Sequence, residues 1–367
     1  MDAVKIADRL VGPGQPCFIV AEAGVNHNGR PDMATRLIDA AADAGADAVK
    51  FQTFDASRLA GPAAPKAAYQ LQTTDQAESQ RDMLRRLQLP PETYAELQAH
   101  ARRRSIMFLS TPFDEESADL LDGLGVPAFK IASGDLTNLP LLAHVARKGR
   151  LVILSTGMSR LAEVCDAVAA IRTAGNSQIV LLQCVSNYPA DPADANLKVM
   201  QTLREACHVP VGYSDHTLGI EVALAAAALG ACMVEKHVTL DRLLLGPDHA
   251  ASLEPDELRA LVRSIRLVEI SLGHGRKEPA ASEADTAATM RRSLVAARDI
   301  SEGTVLTDAL LAIQRPGTGL PPAARSSLVG RVAAQDIPAG TVLTWHMVST
   351  APTRRGRATS HAEILEG

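Results

Sequence analysis

VPVGYSDHTLGIEVALAAAALGACMVEKH, residues 209 to 237, holds two short apolar runs separated by an alanine-rich one, and each short run ends in a histidine. VPVGYSDH and MVEKH have the β-branched and apolar content of buried strands. GIEVALAAAALGA is long enough for a crossover helix and is closed by Gly230. Two strands joined through a helix run parallel, so His216 and His237 open onto the same end of one sheet. Imidazole suits a borderline divalent metal, and Asp215 and Glu235 stand close enough in the chain to orient such ligands or to bind water beside them.

The same alternation extends in both directions. Strand-like segments fall at 18–24, 47–53, 106–112, 128–134, 151–157, 179–186, 209–216 and 233–240. Helix-like segments follow at 31–45, 90–104, 115–123, 138–148, 160–174, 196–206, 219–229 and 255–271. Eight strand–helix units in about 250 residues predict an α/β fold of the (β/α)₈ TIM-barrel kind. An open doubly wound sheet fits less well, because no G-x-G-x-x-G follows the first strand.

Residues 54–89, too long for an ordinary connection, are expected to cover the barrel mouth together with the loop at 241–254. The barrel domain spans 1–272. A linker at 273–289, without apolar periodicity, leads to a small β-rich module at 290–350. In that module ARDISEGTVLT (297–307) returns as AQDIPAGTVLT (334–344), which implies a pseudo-symmetric pair of β-turn units. The polar tail 351–367 reads as disordered.

Composition narrows the partners. A net charge of −5 and 3% aromatic residues provide no basic footprint for nucleic acid and few rings to stack on bases. The beginning of the chain shows no secretory pattern, and no apolar stretch is long enough to span a bilayer. Five cysteines without C-x-x-C spacing fit reduced thiols, and the expected compartment is the cytoplasm.

In a barrel of this kind, catalytic groups sit at the C-terminal strand ends. The polar residues there are Glu22; Lys50 and Gln52; Ser110 and Thr111; Lys130 and Ser133; Ser155 and Thr156; Gln183, Ser186, Asn187 and Tyr188; then Ser214, His216, Glu235, Lys236 and His237. Lys50 and Lys130 either pair with Glu22 and Glu235 or, with the hydroxyls, hold an anionic substrate, and the hydroxyls favour the second. Glu22 is a general base or a buried hydrogen-bonding carboxylate. His27, in NHNG, fits turn chemistry and a ligand equally. A P-loop and a Ser-His-Asp or Cys-His arrangement are both missing from the sequence, so neither nucleotide triphosphate nor covalent acyl transfer is indicated.

AEAGVNHNG, VKFQT, STPFD, KIASGD, STGMS, QCVSNYP, GYSDHT, EKHVTLD and GPDHAASLEP stand in the order found in the sialic acid synthase family, which the chain resembles nearly end to end. RPGTG at 315–319 lies in a segment similar to the antifreeze-like (SAF) module of those enzymes. The family condenses phosphoenolpyruvate with an N-acetylated hexosamine and water, giving a nine-carbon 2-keto acid and phosphate.

The resemblance implies that His216 and His237 ligate Mn²⁺ or Mg²⁺ and that Glu22 is the acid/base residue. It implies that Lys50, Thr111, Lys130, Ser133, Ser155, Asn187 and Ser214 bind phosphoenolpyruvate, and that Gln52, Tyr188, Asp248 and Arg315 hold the amino sugar. It also implies a homodimer in which the SAF domain caps the partner barrel. GPDHAASLEP is more similar to the sialic and legionaminic branches than to the pseudaminic one. N-acetylmannosamine is the favoured acceptor, with the 2,4-diacetamido-2,4,6-trideoxymannose of the legionaminate branch as the alternative. A non-catalytic sugar-binding homologue is disfavoured because Glu22 and both histidines are present.

Overall fold

Two strands the sequence reading did not anticipate, β1 (Val4–Ile6) and β2 (Arg9–Val11), form an antiparallel hairpin at the start of the chain in this computed structural model, which describes residues 2–349. Eight parallel strands follow: β3 (Phe18–Gly24), β4 (Ala48–Thr53), β5 (Met107–Pro112), β6 (Ala128–Ile131), β7 (Leu151–Ser155), β8 (Ile179–Cys184), β9 (Val211–Asp215) and β10 (Met233–His237). They are laddered in the order β5-β4-β3-β10-β9-β8-β7-β6, and the two ends, β5 and β6, lie in contact, so the sheet rolls into a near-barrel. A helix follows each strand, from Pro31–Asp43 after β3 to Pro255–Leu272 after β10, as a TIM barrel requires.

Local chemistry sets these elements. The helix Pro31–Asp43 starts with Pro at its first position and buries Met33, Ala34, Leu37, Ile38 and Ala41, one stripe at helical spacing. The helix Glu115–Gly123 is capped by Asp114, whose carboxylate accepts from Ser117 N at 2.8 Å.

In the strands, the period of two decides which side chains enter the barrel. Phe18, Val20, Ala48, Leu109, Ala128, Leu151, Ile153, Val180, Leu182 and Met233 fill the lower interior, and Val4, Ile6 and Val11 of the hairpin pack against them. Arg9 fixes the hairpin by pairing with Asp47 and lying over Phe18, 5.0 Å from the ring centre. Continuing the same inward positions upward gives Glu22, Lys50, Thr111, Lys130, Ser155, Cys184, Ser214 and Glu235. The polar site is therefore the top layer of the same interior.

Residues 54–89 are not a simple loop. They fold into helices Ala56–Leu59, Ala68–Thr73 and Gln80–Leu87, tied to the barrel by an apolar cluster of Val25, Phe54, Met83 and Leu87. Inside this insertion the buried Lys66 ammonium donates to Thr74 Oγ1 at 3.0 Å and meets Glu78 at 3.4 Å. Their polar composition conceals helices too short to show periodicity.

The chain divides into two compact units, Met1–His274 and Gly275–Gly367. The segment expected as a linker at 273–289 contains a helix at Ala284–Met290 with no buried residue, which explains the absence of an apolar pattern. The tail at 351–367 and the last residue of the expected module lie outside the described residues.

In the second unit, β11 (Ser293–Ala296) pairs with β12 (Leu311–Gln314), and β13 (Val332–Ala333) with β14 (Val348–Ser349). The sequence repeat folds as a reciprocal pair. Ile300 and Ile337, equivalent positions, exchange backbone hydrogen bonds of 2.9 and 2.8 Å. Asp299 accepts from Ala339 N at 2.7 Å, and Asp336 from Glu302 N at 2.8 Å. One half therefore caps the turn of the other.

Candidate active site

A cavity of about 400 Å³ opens at the C-terminal ends of the barrel strands, the size of a small-molecule site. Of the residues to which the resemblance gives a catalytic, substrate-binding or metal-binding role, all but Asn187 and Arg315 line it. Asn187 is exposed on the loop after β8. Arg315 belongs to the second unit, where its Nε donates to Met290 O at 3.1 Å.

Strand alternation also corrects the inventory at the mouth. Ser110, Thr156, Asp215 and Lys236 occupy outward positions and do not line the cavity. Ser110 bonds Thr53 at 2.7 Å, and Thr156 Oγ1 donates to Leu182 O at 3.1 Å. Asp215 is not behind the histidines. It forms a fully buried ion pair with Lys236 at 2.7 Å and accepts from Thr217 N and Oγ1.

The charged centre is four residues deep. Lys50 Nζ lies 2.6 Å from Glu22 Oε2 and 3.7 Å from Glu235 Oε2, and donates to Thr111 Oγ1 at 3.0 Å. Lys130 Nζ lies 3.5 Å from Glu235 Oε1, which also accepts from Ser214 Oγ at 2.8 Å. The lysines pair with the carboxylates and also line the cavity.

The two carboxyls titrate far apart. Burial raises Glu22 to about 7, reinforced by the charge of Glu235, although Lys50 pulls the other way. Burial would also raise Glu235, but Lys130, Lys50 and Ser214 outweigh it and hold it at about 2. Such a split leaves Glu22 able to exchange a proton near neutrality and keeps Glu235 a fixed counter-charge.

His216 and His237 come together with ring centres 5.3 Å apart. His216 Nδ1 bonds Val185 O at 2.7 Å, which fixes the ring and leaves Nε2 free. His237 Nδ1 is buried without a hydrogen-bond partner among the described residues, 3.9 Å from Asp248 Oδ2. Burial lowers both imidazoles, His216 to about 4, so both are neutral at physiological pH. Among the described residues no cluster of three or more His, Cys, Asp or Glu gathers in metal-binding geometry. The donor set is two neutral imidazoles, one with an orphaned nitrogen, and it fits a divalent ion that takes its other ligands from substrate or water. His27 is turn chemistry: its Nδ1 accepts from Gly29 N at 3.0 Å.

Two glycines shape the walls. Gly24 has φ +52° beside a register shift in β3, and a Cβ there would stand 3.3 Å from Glu22 Oε1 and 3.5 Å from His237. A Cβ on Gly157 would come within 2.3 Å of Ser186 Oγ and 2.9 Å of Ser133 Oγ, which accepts from Gly157 N. Ser155 Oγ, buried with no hydrogen-bond partner among the described residues, faces the same cavity and can donate to a bound group.

Sequence reading missed the residues supplied by the insertion. Tyr69 packs on Tyr188 with ring centres 5.0 Å apart, and Tyr188 on His216 at 4.1 Å, the planes tilted by 33° and 36°. Leu59, Met83, Leu84 and Leu87 add an apolar wall, with Phe113 beside them. The only signal for them in the sequence is Tyr69 and a few scattered apolar residues in the largely polar stretch 54–89.

A buried carboxyl raised toward neutrality beside two buried ammonium groups, in a cavity lined by hydroxyls, is the arrangement of an enzyme that acts on an anionic substrate. The model of the NeuB family matches residues 37–277, and that of the SAF domain matches residues 291–349. N,N'-diacetyllegionaminic acid synthase of Campylobacter jejuni is 47% identical over 318 residues, 86% of this chain and 95% of that protein. The Legionella pneumophila enzyme of the same name is 47% identical over 87% of this chain and 91% of its own. The crystal structure of N-acetylneuraminic acid (sialic acid) synthetase from Leptospira borgpetersenii, in complex with citrate, superposes with a TM-score of 0.69 at 37% identity, covering 78% of this chain and 95% of that one. The chain belongs to the NeuB family, nonulosonic acid synthases here followed by a SAF domain.

Proposed function

We propose that the chain condenses phosphoenolpyruvate with 2,4-diacetamido-2,4,6-trideoxymannose and water, giving N,N'-diacetyllegionaminate and phosphate. The observation that carries the condensation is the split carboxylate pair, Glu22 near 7 and Glu235 near 2, around Lys50 and Lys130. The acceptor reading moves away from N-acetylmannosamine for two reasons. Two relatives at 47% identity are named as legionaminic acid synthases. The wall made by Leu59, Met83, Leu84 and Leu87 suits a methyl at carbon 6 better than a hydroxyl.

In this reading Lys50, Lys130, Thr111, Ser155 and Ser214 hold the phosphate and carboxylate of the donor. Carbon 3 of the donor bonds to the acceptor aldehyde carbon, water adds to carbon 2, and phosphate leaves by C–O cleavage. Glu22 takes one proton from that water and passes it to the alkoxide formed from the aldehyde oxygen, the water's second proton leaves with phosphate, and the lysines oppose the charge that collects there. His216 and His237 would hold a divalent ion, whose chemistry when bound is Lewis-acid polarisation of the aldehyde oxygen.

Gln52, Tyr188 and Asp248 face the sugar. Arg315 is proposed as the group that binds an acetamido oxygen, supplied by the other copy in a homodimer, as the resemblance implies. Mixing inactive Glu22→Gln and Arg315→Ala proteins under subunit exchange should then restore part of the activity, and no recovery after proven exchange rejects sharing between copies.

N-acetylmannosamine remains a second reading, favoured by the likeness to a sialic acid synthetase. Phosphate release is measured with phosphoenolpyruvate and each acceptor in turn. A higher kcat/KM for the trideoxy sugar supports the proposal, the reverse order supports the second reading, and no release with either rejects both.

A further inference from the structure

Cys165 and Cys207 face each other across two neighbouring barrel helices, Leu161–Thr173 and Val199–Cys207, with their sulfurs 3.9 Å apart. Both thiols are free, and both line a separate groove of about 360 Å³ with Val168, Arg172, Thr173 and Ala206. Cys165 is half-buried and reachable from that groove, whereas Cys207 is 3% exposed. We infer that this pair is a redox-active dithiol site which closes to an intramolecular disulfide on reaction with a low-molecular-weight disulfide such as glutathione disulfide.

The geometry supports closure. A disulfide needs a sulfur–sulfur distance of about 2 Å, so each sulfur has to travel only about 1 Å, within reach of a small side-chain rotation. Cys207 is the last residue of its helix and is followed by His208 in a left-handed conformation, so no further helical turn packs over its side chain. Arg172 Nη2 donates to Cys207 O at 2.9 Å, which places a guanidinium at the thiol and offers a partner to the carboxylates of glutathione. Burial raises the Cys207 thiol to about 11, opposed by Arg172, and that fits Cys165 as the attacking sulfur and Cys207 as the resolving one.

The exchange balances without another reagent. Cys165 thiolate attacks one sulfur of glutathione disulfide, the S–S bond breaks, and one glutathione leaves as thiolate and takes up the proton that Cys165 lost. Cys207, deprotonated in turn, attacks Cys165 Sγ of the mixed disulfide, and the second glutathione leaves with that proton. The protein is oxidised by two electrons and one glutathione disulfide is reduced to two glutathiones.

The full-length protein is incubated with glutathione disulfide, quenched in acid, alkylated under denaturing conditions and weighed. The expected result is a fall from five alkylatable thiols to three and a mass loss of two hydrogens. Digestion with trypsin and a glutamate-specific protease should link the fragments 164–172 and 206–221, which separates Cys165 from Cys184 and Cys207 from Cys232. Cys165→Ser should keep all four of its remaining thiols. Retention of five thiols by the wild type, a stable glutathione adduct without closure, or a link between Cys17 and Cys232, which are near each other and both buried, would overturn the assignment.

Discussion

Glu22 and Glu235 reach the same ammonium, Lys50 Nζ, at 2.6 and 3.7 Å, and among the described residues only Glu235 has a second cation at ion-pair distance, Lys130 at 3.5 Å. That asymmetry explains why one carboxyl titrates near 7 and the other near 2. Glu235 keeps the two ammonium groups from standing unpaired when the cavity holds no donor. Glu22 is left free to exchange a proton at neutral pH.

Replacing Glu22 by Gln should lower kcat by about 10²- to 10⁴-fold, the usual contribution of a general acid–base group. The amide keeps the shape and Lys50 keeps Glu235, so the KM for the donor should change little. In the wild type, kcat/KM should carry a limb near pH 7 that the variant lacks. Unchanged kcat with a raised donor KM would make Glu22 a binding residue.

The same carboxyl has a stability signature. Its folded pKa, about 7, lies above the 4.5 of an ordinary Glu, so its stabilising contribution is complete below about 4.5 and is lost as pH rises through about 7. Glu22→Gln should therefore melt about 5 °C above the wild type at pH 8.5, with the gap closing toward pH 5. Glu235 has the opposite sign: its contribution is present above 4.5 and lost as pH falls through about 2. Thermal scans across pH check both. Identical melting curves at pH 8.5 and pH 5 would remove the buried-charge argument.

The period of two made most of the barrel legible. Each strand candidate overlaps an observed strand, because buried parallel strands read as short apolar runs bounded by helices. The same period, applied residue by residue, separates Glu235 and His237 from Lys236, and Ser214 and His216 from Asp215; an inventory of strand ends does not make that distinction. Ser133 lies in a 3-10 turn after β6 rather than in the strand, and it reaches the cavity from there. The N-terminal hairpin was invisible because strands of three residues carry no periodicity. The split between Glu22 and Glu235 depends on distances between strands, which no linear pattern contains.

The histidine pair should bind metal by itself. Mn²⁺ binding to the protein without substrates, followed by electron paramagnetic resonance or calorimetry, is expected in the wild type and lost in His216→Ala and His237→Ala. Both imidazoles are neutral well below pH 7, so binding should stay constant from pH 8 down to about 6. Equal Mn²⁺ binding by either alanine variant would place the metal elsewhere.

Tyr69 links the insertion to the reaction centre, through Tyr188, to His216, by ring contacts of 5.0 and 4.1 Å. It lines the cavity close to Asp248, whose charge adds to burial in holding the phenol protonated. In the proposed function the donor is held by Lys50, Lys130 and the strand hydroxyls, which puts the Tyr69 ring on the acceptor side. Removing it should weaken acceptor binding and leave the donor site intact. For Tyr69→Ala the acceptor KM should rise about 10-fold or more, in line with the loss of one stacked aromatic contact and its buried area, while the donor KM stays within about twofold. Tyr69→Phe separates ring from hydroxyl: stacking predicts near wild-type KM, whereas a hydrogen bond from the phenol to the sugar predicts a loss close to that of alanine. A rise in donor KM instead, with acceptor KM unchanged, would mean that the insertion closes over phosphoenolpyruvate and that the acceptor enters from the opposite wall.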